Sequence, residues 1–265
     1  MIKLIASDMD GTLLDNEKRL PADFFEVLEQ LNAQNIHFVA ASGRSYVTLR
    51  ENFLPNSDKM DFICDNGAVI VSKGVVTEIS LIDRQIVNEI IEICEKIDGI
   101  RLLLCGINGT YHIKSIPEFD EQINYYYVNQ KCVESLYNID DGIFKVAICD
   151  LNNPQNNSYP ILKERFKNRL ALQISGKFWA DLMNIGINKG KALQNLQEKM
   201  HITPDETMAF GDYDNDIELL KMAKYSFVMA NAEERMKKYG NFEAKANSEN
   251  GVMEAIRQYV FMNKH

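Results

Sequence analysis

At 265 residues, this chain is long enough for one large domain or two moderate ones, and its 46% hydrophobic and 25% charged content is ordinary for a globular protein. The formal net charge of −9 argues against a general affinity for nucleic acid or anionic membranes, which both reward clustered Lys and Arg. Because no apolar run is long enough to cross a bilayer and the five cysteines show no short paired spacing, we expect a cytoplasmic protein with reduced thiols.

The first third of the chain alternates between short apolar runs and amphipathic segments. Residues 68–82 at its end indicate a hairpin that turns at Lys73-Gly74. The order of strand, helix, strand, helix, strand before the hairpin is typical of a mostly parallel sheet with helices on its faces. The predicted elements are strands at residues 2–7, 36–41 and 62–64 and helices at residues 21–32 and about 45–53.

From about Asp83 the pattern changes to that of a separate α+β unit, and a βαβ pattern resumes at Lys189. We therefore expect a Rossmann-like α/β core domain built from residues 1–82 and 185–265, with an α+β domain, residues 83–184, inserted between its two parts. The predicted elements are helices at residues 83–97, 158–168, 189–200 and from about 214, and strands at residues 100–105, 110–114, 143–149, 170–174, 178–184, 207–210 and 225–229.

Two carboxylates, Asp8 and Asp10, follow the first predicted strand directly. Residues at i and i+2 of an extended chain point to the same side, and Gly11 lets the backbone turn away beneath them. Two close anions repel each other, so this spacing indicates a metal ion, a shared proton, or both. The structural alternative is a strand that ends in a solvated acidic turn.

Polar residues also follow the other strands of the predicted core sheet. Ligands bind beyond the carboxyl ends of the strands in open parallel sheets, so these residues should converge there. Carboxylates in such a cluster suit Mg²⁺, which protein sites hold through few carboxylates plus substrate phosphate. An EF-hand interpretation of residues 212–223 fails because Ile217 and Ala223 replace its glycine and its closing glutamate. The converging residues are Asp8, Asp10, Ser42, Gly43, Asp65, Asn66, Asp212, Asn215 and Asp216.

Lys189 opens a predicted helix just before Gly190, where the backbone already favours anions. Its structural alternative is an exposed surface lysine. A phosphate-loop interpretation of residues 186–192 fails, because the segment is one residue too short and Ala192 replaces the hydroxyl that would hold magnesium.

Together, these motifs resemble those of the haloacid dehalogenase-like phosphatase superfamily over essentially the whole chain. Asp8-x-Asp10-Gly11-Thr12 is similar to its first motif, Ser42 to its second, Lys189 to its third, and residues 211–216 to its fourth. The central insertion, preceded by Asn66-Gly67-Ala68, resembles that of the Cof-like type IIB hydrolases.

The resemblance implies an Mg²⁺-dependent phosphatase. Asp8 would be the nucleophile that forms an aspartyl phosphate, and Asp10 would be the general acid and base. Mg²⁺ would be held by Asp8, the Asp10 carbonyl and Asp212, with indirect support from Asp216. The groups implied to hold the phosphoryl oxygens are the amides of Met9 and Gly43 and the side chains of Ser42, Lys189 and Asn215.

The resemblance also implies that the insertion acts as a cap that selects the substrate. Among possible substrate contacts we name Asn66, Asp181 and Asn184; residues 125–127 and 178–179 offer aromatic rings whose alternative role is packing. The expected substrate is a small phosphorylated metabolite such as a sugar phosphate, with flavin mononucleotide and pyridoxal phosphate as further candidates. A phosphotransferase or phosphomutase and a non-catalytic phosphometabolite sensor are the alternative functions, and no oligomeric state is favoured.

Overall fold

The computed structural model describes residues 1–127 and 129–262, and the chain forms two compact units. Unit 1 comprises residues Met1–Glu78 and Asn188–His265, and unit 2 comprises residues Ile79–Ile187. Unit 2 therefore interrupts unit 1 in the sequence. The fold class is confirmed: an α/β unit with a largely parallel sheet carries an inserted α+β unit.

Unit 1 is built on an eight-stranded sheet. Its strands are β1 Leu4–Asp8, β2 His37–Ala41, β3 Asp61–Cys64, β4 Val69–Ser72, β5 Val75–Ile79, β12 Thr207–Gly211, β13 Tyr225–Met229 and β14 Phe242–Ala244. They lie in the order β14-β13-β12-β1-β2-β3-β4-β5, run parallel from β14 to β3, and turn antiparallel between β3 and β4. The helices are α1 Phe24–Ala33, α2 Tyr46–Arg50, α6 Lys189–Met200, α7 Ile217–Lys221 and α8 Gly251–Ile256.

The positions of the apolar residues in the sequence explain how the elements of unit 1 pack. Every residue of β1 is buried, as expected for a central strand covered on both faces. Helix α1 buries Phe24, Val27, Leu28 and Leu31, whose spacing of three and four residues places them on one face. Strand β1 lies between β12 and β2, so the residues that follow these three strands meet at one edge of the sheet.

Unit 2 has a six-stranded sheet and three helices. The strands are β6 Ile100–Gly106, β7 Gly109–Ile113, β8 Gln130–Val133, β9 Ile143–Asp150, β10 Leu170–Gly176 and β11 Trp179–Asn184; the helices are α3 Arg84–Cys94, α4 Pro117–Tyr126 and α5 Ser158–Phe166. The strands lie in the order β10-β11-β9-β6-β7-β8, with β7 and β8 parallel and the other described pairs antiparallel. The core packs the apolar side of α3, including Val87, Ile90 and Ile91, against sheet residues such as Leu104 and Val146.

The structure adds elements that the sequence analysis did not predict, namely α4, β8, β14 and α8. Helix α4 takes up the first two tyrosines of the aromatic stretch, and Tyr125 and Tyr126 are both exposed. The helix expected at about residues 45–53 is α2 followed by a separate 3₁₀ turn, Glu51–Phe53. In the described part of the chain, no helix has both the length and the apolar character needed to span a membrane.

Candidate active site

The polar residues predicted to converge do lie at one edge of the unit 1 sheet. Asp8 is the last residue of β1, Ser42 follows β2, and Asp212 follows β12. Contacts between their loops confirm the convergence: the Thr12 hydroxyl donates to Asp212 Oδ1 at 2.8 Å, and the Asn66 amide donates to the Ser42 carbonyl at 3.0 Å. This edge is the candidate site.

Lys189 lies at the centre of the site and is fully buried. Its Nζ donates to Asp8 Oδ1 and, at 2.7 Å, to Asp216 Oδ1. Helix α6 begins at Lys189, and the Asn188 side chain caps this helix by accepting from the Lys191 amide at 2.8 Å. The alternative of an exposed lysine is therefore wrong, and Asn188 has a structural role in starting the helix.

Three carboxylates face this one ammonium group. Asp8, Asp212 and Asp216 each offer an oxygen, and these oxygens lie within 4.8 Å of one another. Burial and the negative charge of Asp216 raise the pKa of Asp8 to about 8, although Lys189 acts in the opposite direction. Burial likewise raises the pKa of Asp212. Burial would lower the pKa of Lys189, but Asp8 and Asp216 outweigh it and keep the ammonium protonated.

The loop after β12 is held in place by Asp216. Its Oδ2 accepts from the amides of Asp212 at 3.0 Å and Tyr213 at 3.1 Å, while its Oδ1 accepts from Lys189. Both oxygens of this carboxylate therefore already have donors. In Asp212, by contrast, Oδ1 accepts a hydrogen bond from the Thr12 hydroxyl, and Oδ2 lies beside Gly11.

Gly11 is required by both its backbone and its surroundings. Its φ of +83° is a conformation that residues with a side chain rarely adopt, and a Cβ atom there would lie 2.3 Å from Asp212 Oδ2. Any other residue here would therefore be strained and would displace the Asp212 side chain, which favours glycine where the chain passes beneath the carboxylates.

Asp10 is held by two cations. Arg44 Nε donates to Asp10 Oδ2 at 3.0 Å, Arg44 Nη2 donates to Oδ1 at 2.5 Å, and Lys18 Nζ donates to Oδ1 at 2.7 Å. Burial alone would raise the pKa of Asp10, but the hydrogen bond from Lys18 and the charge of Arg44 hold it below its usual value. Only Met9 separates Asp8 from Asp10 in the chain, yet their surroundings shift their pKa values in opposite directions.

Asn66, which follows β3, lies next to two of the remaining predicted site residues. The Asn215 amide group donates to Asn66 Oδ1 at 3.1 Å, and a Cβ atom on Gly43 would lie 3.2 Å from Asn66 Nδ2. Asn66 thus contacts a residue predicted to bind phosphate and lies beside another. Its backbone is in the left-handed region, with φ of +54°.

Asp181 and Asn184, the other predicted substrate contacts, are residues of unit 2. Asp181 is half-buried in β11, opposite Ala147 of β9. Asn184 ends the same strand, and its amide donates to Ser80 Oγ at 3.0 Å and the Leu81 carbonyl at 2.9 Å. These bonds attach β11 to the segment where unit 2 begins, which gives Asn184 a structural role; substrate contact by either residue stays a prediction.

The sequence analysis missed the partners of Asp10. The sequence analysis gives Arg44 no role, although a charged residue directly after Ser42 and Gly43 is a usable signal. Lys18 carried no such signal, because its contact depends on how the loop after β1 folds back, with Lys18 at φ of +62°.

The residues of the site fit a divalent cation. Hard cations take oxygen ligands, and the buried carboxylates of Asp8 and Asp216 with the half-buried one of Asp212 outnumber the ammonium group of Lys189, which leaves an excess of negative charge. The raised pKa of Asp8 has the same physical origin, since this carboxyl group takes up a proton in place of a cation. Asp8, Asp212 and the nearby backbone therefore suit Mg²⁺.

Replacing Lys189 tests how far its charge stabilises the site. In the presence of a chelator, we expect Lys189→Met to lower the free energy of unfolding by about 3–5 kcal/mol, because removing one partner leaves buried carboxylates without their counter-charge. Urea unfolding followed by circular dichroism measures the change. Lys191→Met, at an exposed position of the same helix, should change it by less than about 0.5 kcal/mol. Equal effects of the two substitutions would contradict this role.

The chain is similar to known proteins over almost its whole length. The sequence profile of the haloacid dehalogenase-like hydrolases matches residues 5–256. The chain is 29% identical over 257 residues to the 5-amino-6-(5-phospho-D-ribitylamino)uracil phosphatase YbjI of Escherichia coli, covering 96% of this chain and 95% of the relative. A solved structure from Streptococcus mutans shares 33% identity and a TM-score of 0.83, covering 98% of this chain and 99% of that one. A sugar phosphatase of HAD subclass IIB, 22% identical, shares the fold with a TM-score of 0.76, covering 97% of this chain and 98% of its own.

Proposed function

Because this chain belongs to the haloacid dehalogenase-like hydrolases and is a phosphoric monoester hydrolase, we propose that it is an Mg²⁺-dependent phosphatase of small metabolites that acts through an aspartyl phosphate. One observation carries the proposal. Asp8 lies against the buried Lys189 at the end of the central strand, and Asp10 two residues later lies in a different electrostatic environment. The roles are assigned from position, because in the metal-free protein the pKa of Asp8 is raised and that of Asp10 is lowered. Bound Mg²⁺ would lower the pKa of Asp8, and the negative charge of a bound phosphate would raise that of Asp10, which brings each group toward the protonation state that its role needs.

The first displacement transfers the phosphoryl group to the enzyme. An oxygen of Asp8 forms a bond to phosphorus while the bond between phosphorus and the leaving oxygen breaks. Asp10 donates a proton to that oxygen, so the products of this step are an alcohol and the aspartyl phosphate. Lys189 holds Asp8 Oδ1 and thereby fixes which way the nucleophile faces.

The second displacement regenerates the enzyme. Water forms a bond to phosphorus, Asp10 accepts the proton of that water, and the bond between phosphorus and Asp8 breaks. The products are inorganic phosphate and the original carboxylate. Because water is the acceptor, release of inorganic phosphate distinguishes this reaction from a phosphotransferase or a phosphomutase.

The phosphoryl oxygens require donors in fixed positions. We assign this role to the Ser42 hydroxyl, the Asn215 amide, Lys189 and the backbone amides of Met9 and Gly43. Two of these are already held: Asn215 is hydrogen-bonded to Asn66, and Lys189 to Asp8 and Asp216. Groups that are fixed before substrate binds need little reorganisation in the transition state.

Asp8, the Asp10 carbonyl and Asp212 would hold Mg²⁺, which when bound offsets repulsion between the anionic nucleophile and the anionic phosphate. Thr12 orients the Asp212 carboxylate from one side. Asp216 would support the ion indirectly, since its two oxygens accept from Lys189 and from the amides of the Asp212 loop.

The raised pKa of Asp8 makes Mg²⁺ binding dependent on pH. In metal-free protein, folded Asp8 keeps a proton up to a pKa of about 8, whereas the unfolded value is 3.8, so metal-free stability falls as pH rises through this range. Mg²⁺ must displace that proton, and its affinity therefore rises with pH until Asp8 is ionised. We expect the Tm difference between Mg²⁺ and a chelator to grow from about pH 6 to about pH 8 and then to level off.

Thermal unfolding at a series of pH values measures this difference. Asp8→Asn is the control, because without a titrating carboxyl group at position 8 most of the pH dependence should disappear. A Tm difference that is independent of pH in the wild-type protein would contradict the assignment of Asp8 as a metal ligand.

The substrate class that we propose is small phosphorylated metabolites, with sugar phosphates first. The aligned relatives include a 5-amino-6-(5-phospho-D-ribitylamino)uracil phosphatase and the fold neighbours a sugar phosphatase, so both substrate types belong in the first panel. We assign substrate selection to unit 2, where Tyr126 and Tyr127 lie against Trp179 with ring centroids 5.7 and 5.4 Å apart. We also propose a cytoplasmic location, since a reducing compartment keeps the five cysteines as thiols.

A phosphate-release screen over phosphorylated metabolites with Mg²⁺, ranked by kcat/KM, tests the proposed function. We expect release of inorganic phosphate that stops when a chelator is added. A single outlying substrate would identify the physiological class, and similar values throughout would indicate a generalist. Absence of phosphate release from the whole panel would contradict the proposal and favour a phosphometabolite-binding protein.

A further inference from the structure

Arg44 donates hydrogen bonds to both oxygens of the Asp10 carboxylate. Its Nε lies 3.0 Å from Oδ2 and its Nη2 lies 2.5 Å from Oδ1, so the planar guanidinium group and the carboxylate meet in a two-point contact. Such a fork restrains the plane of the carboxylate as well as its position.

Arg44 is itself held at several points. Its backbone amide donates to Ser42 Oγ at 3.2 Å, and its carbonyl accepts from the Asp65 amide at 3.0 Å. Its Nη1 additionally donates to Asn52 Oδ1 at 3.4 Å. The guanidinium group therefore connects the loop after β2 to Asp10 in the loop after β1, so the orientation of Asp10 depends on where the loop after β2 lies.

Lys18 contacts the same carboxylate in a different way. It makes one hydrogen bond, to Oδ1 at 2.7 Å, and its side chain is 59% exposed, compared with 27% for Arg44. A single flexible, solvated ammonium group adds charge but leaves the carboxylate free to rotate about that contact. The Asp10 carboxylate is thus held by a two-point contact from Arg44 and by a single hydrogen bond from Lys18.

We propose that Arg44 is a positioning residue for proton transfer, holding the Asp10 carboxylate in the orientation that it needs toward the leaving oxygen and the attacking water. Lys18 does not share this role. The inference rests on the proposed function, because it assigns Arg44 a role in a step that Asp10 performs. Proton transfer requires a donor within hydrogen-bond reach and correctly aligned, and small misplacements are costly.

The test compares Arg44→Met with Lys18→Met, which removes a cation from the same carboxylate. Two substrates are used: the best sugar phosphate from the screen, whose alcohol needs a proton to leave, and p-nitrophenyl phosphate, whose phenolate leaves without one. On the sugar phosphate we expect Arg44→Met to lower kcat/KM by about 10–100-fold, the range for a misplaced catalytic group. On p-nitrophenyl phosphate the loss should be much smaller, and Lys18→Met, which leaves the two-point contact in place, should cost clearly less than Arg44→Met on the sugar phosphate.

A double variant separates positioning from a general structural role. If Arg44 acts through Asp10, adding Arg44→Met to Asp10→Asn should cause no further loss, since residues that act as one unit are not additive. Circular dichroism and Tm check the fold, and Arg44→Lys, which keeps the charge without the fork, replaces Arg44→Met if the latter does not fold. Equal losses on both substrates, independent losses in the double variant, or equal effects of Lys18→Met would overturn the inference. Failure of the wild-type protein to release phosphate from either substrate would instead overturn the proposed function.

Discussion

Asp8→Asn is expected to abolish phosphate release while leaving the fold intact. The amide has nearly the shape of the carboxylate but cannot act as the nucleophile that forms an acyl phosphate. The fold should tolerate the change, because Asp8 is the last residue of a strand that is paired on both sides. Burial and neighbouring Asp216 also keep Asp8 largely protonated in metal-free protein at neutral pH, so a neutral amide at this position changes the charge of the site little.

The measurement is phosphate release from the best substrate, with circular dichroism and thermal unfolding as checks on the fold. Asp58→Asn removes one negative charge from an exposed position of unit 1 and serves as the matched control. It should retain wild-type turnover. Appreciable turnover by Asp8→Asn, beyond that expected from deamidation, would rule out Asp8 as the nucleophile.

Asp10→Ala is expected to lower kcat/KM for sugar phosphates by about 10²–10⁴-fold, the usual contribution of general acid–base catalysis. The loss should shrink as the leaving group becomes more acidic, because a good leaving group departs without a proton. Since kcat/KM reports the steps up to the first irreversible one, it isolates proton donation to the leaving alcohol from the later attack of water.

A series of phosphate esters with leaving groups of increasing acidity measures this dependence. Asp10→Asn is the companion variant, since it keeps the size of the side chain and one acceptor oxygen for Arg44 while removing the acid. If Asp10→Ala lowered kcat/KM equally for every ester, Asp10 would be acting through the metal site or the loop structure and not as the proton donor.

The convergence of the core residues could be predicted from the sequence because it follows from strand order. Asp8 ends a strand with the apolar composition of a buried parallel sheet, Ser42 and Asp212 each follow one, and such strands end at the same edge. The role of Gly11 was also predictable, because glycine lets the backbone turn away beneath two carboxylates; the close approach of Asp212 to it appears only in the structure.

What the sequence could not predict depends on the environment of single side chains. The burial of Lys189 between Asp8 and Asp216 requires the packing of α6 on the sheet, and a lysine at a helix start is equally compatible with exposure. The two hydrogen bonds from Arg44 to Asp10 depend on the rotamer of Arg44 and on the geometry of the loops after β1 and β2. In unit 2, helix α4 was missed although Pro117 at its start and an acidic first turn are recognised start signals.

The most direct test of the proposed mechanism is to trap the phosphoryl group on the enzyme. Asp10→Ala should still react with p-nitrophenyl phosphate, whose leaving group needs no proton, but should lack the base that activates water. After acid quenching and proteolysis, mass spectrometry should then find one phosphoryl group on the peptide that contains Asp8, sensitive to hydroxylamine as an acyl phosphate is. A burst of p-nitrophenolate without labelling of Asp8, or labelling of another residue, would contradict the aspartyl-phosphate mechanism.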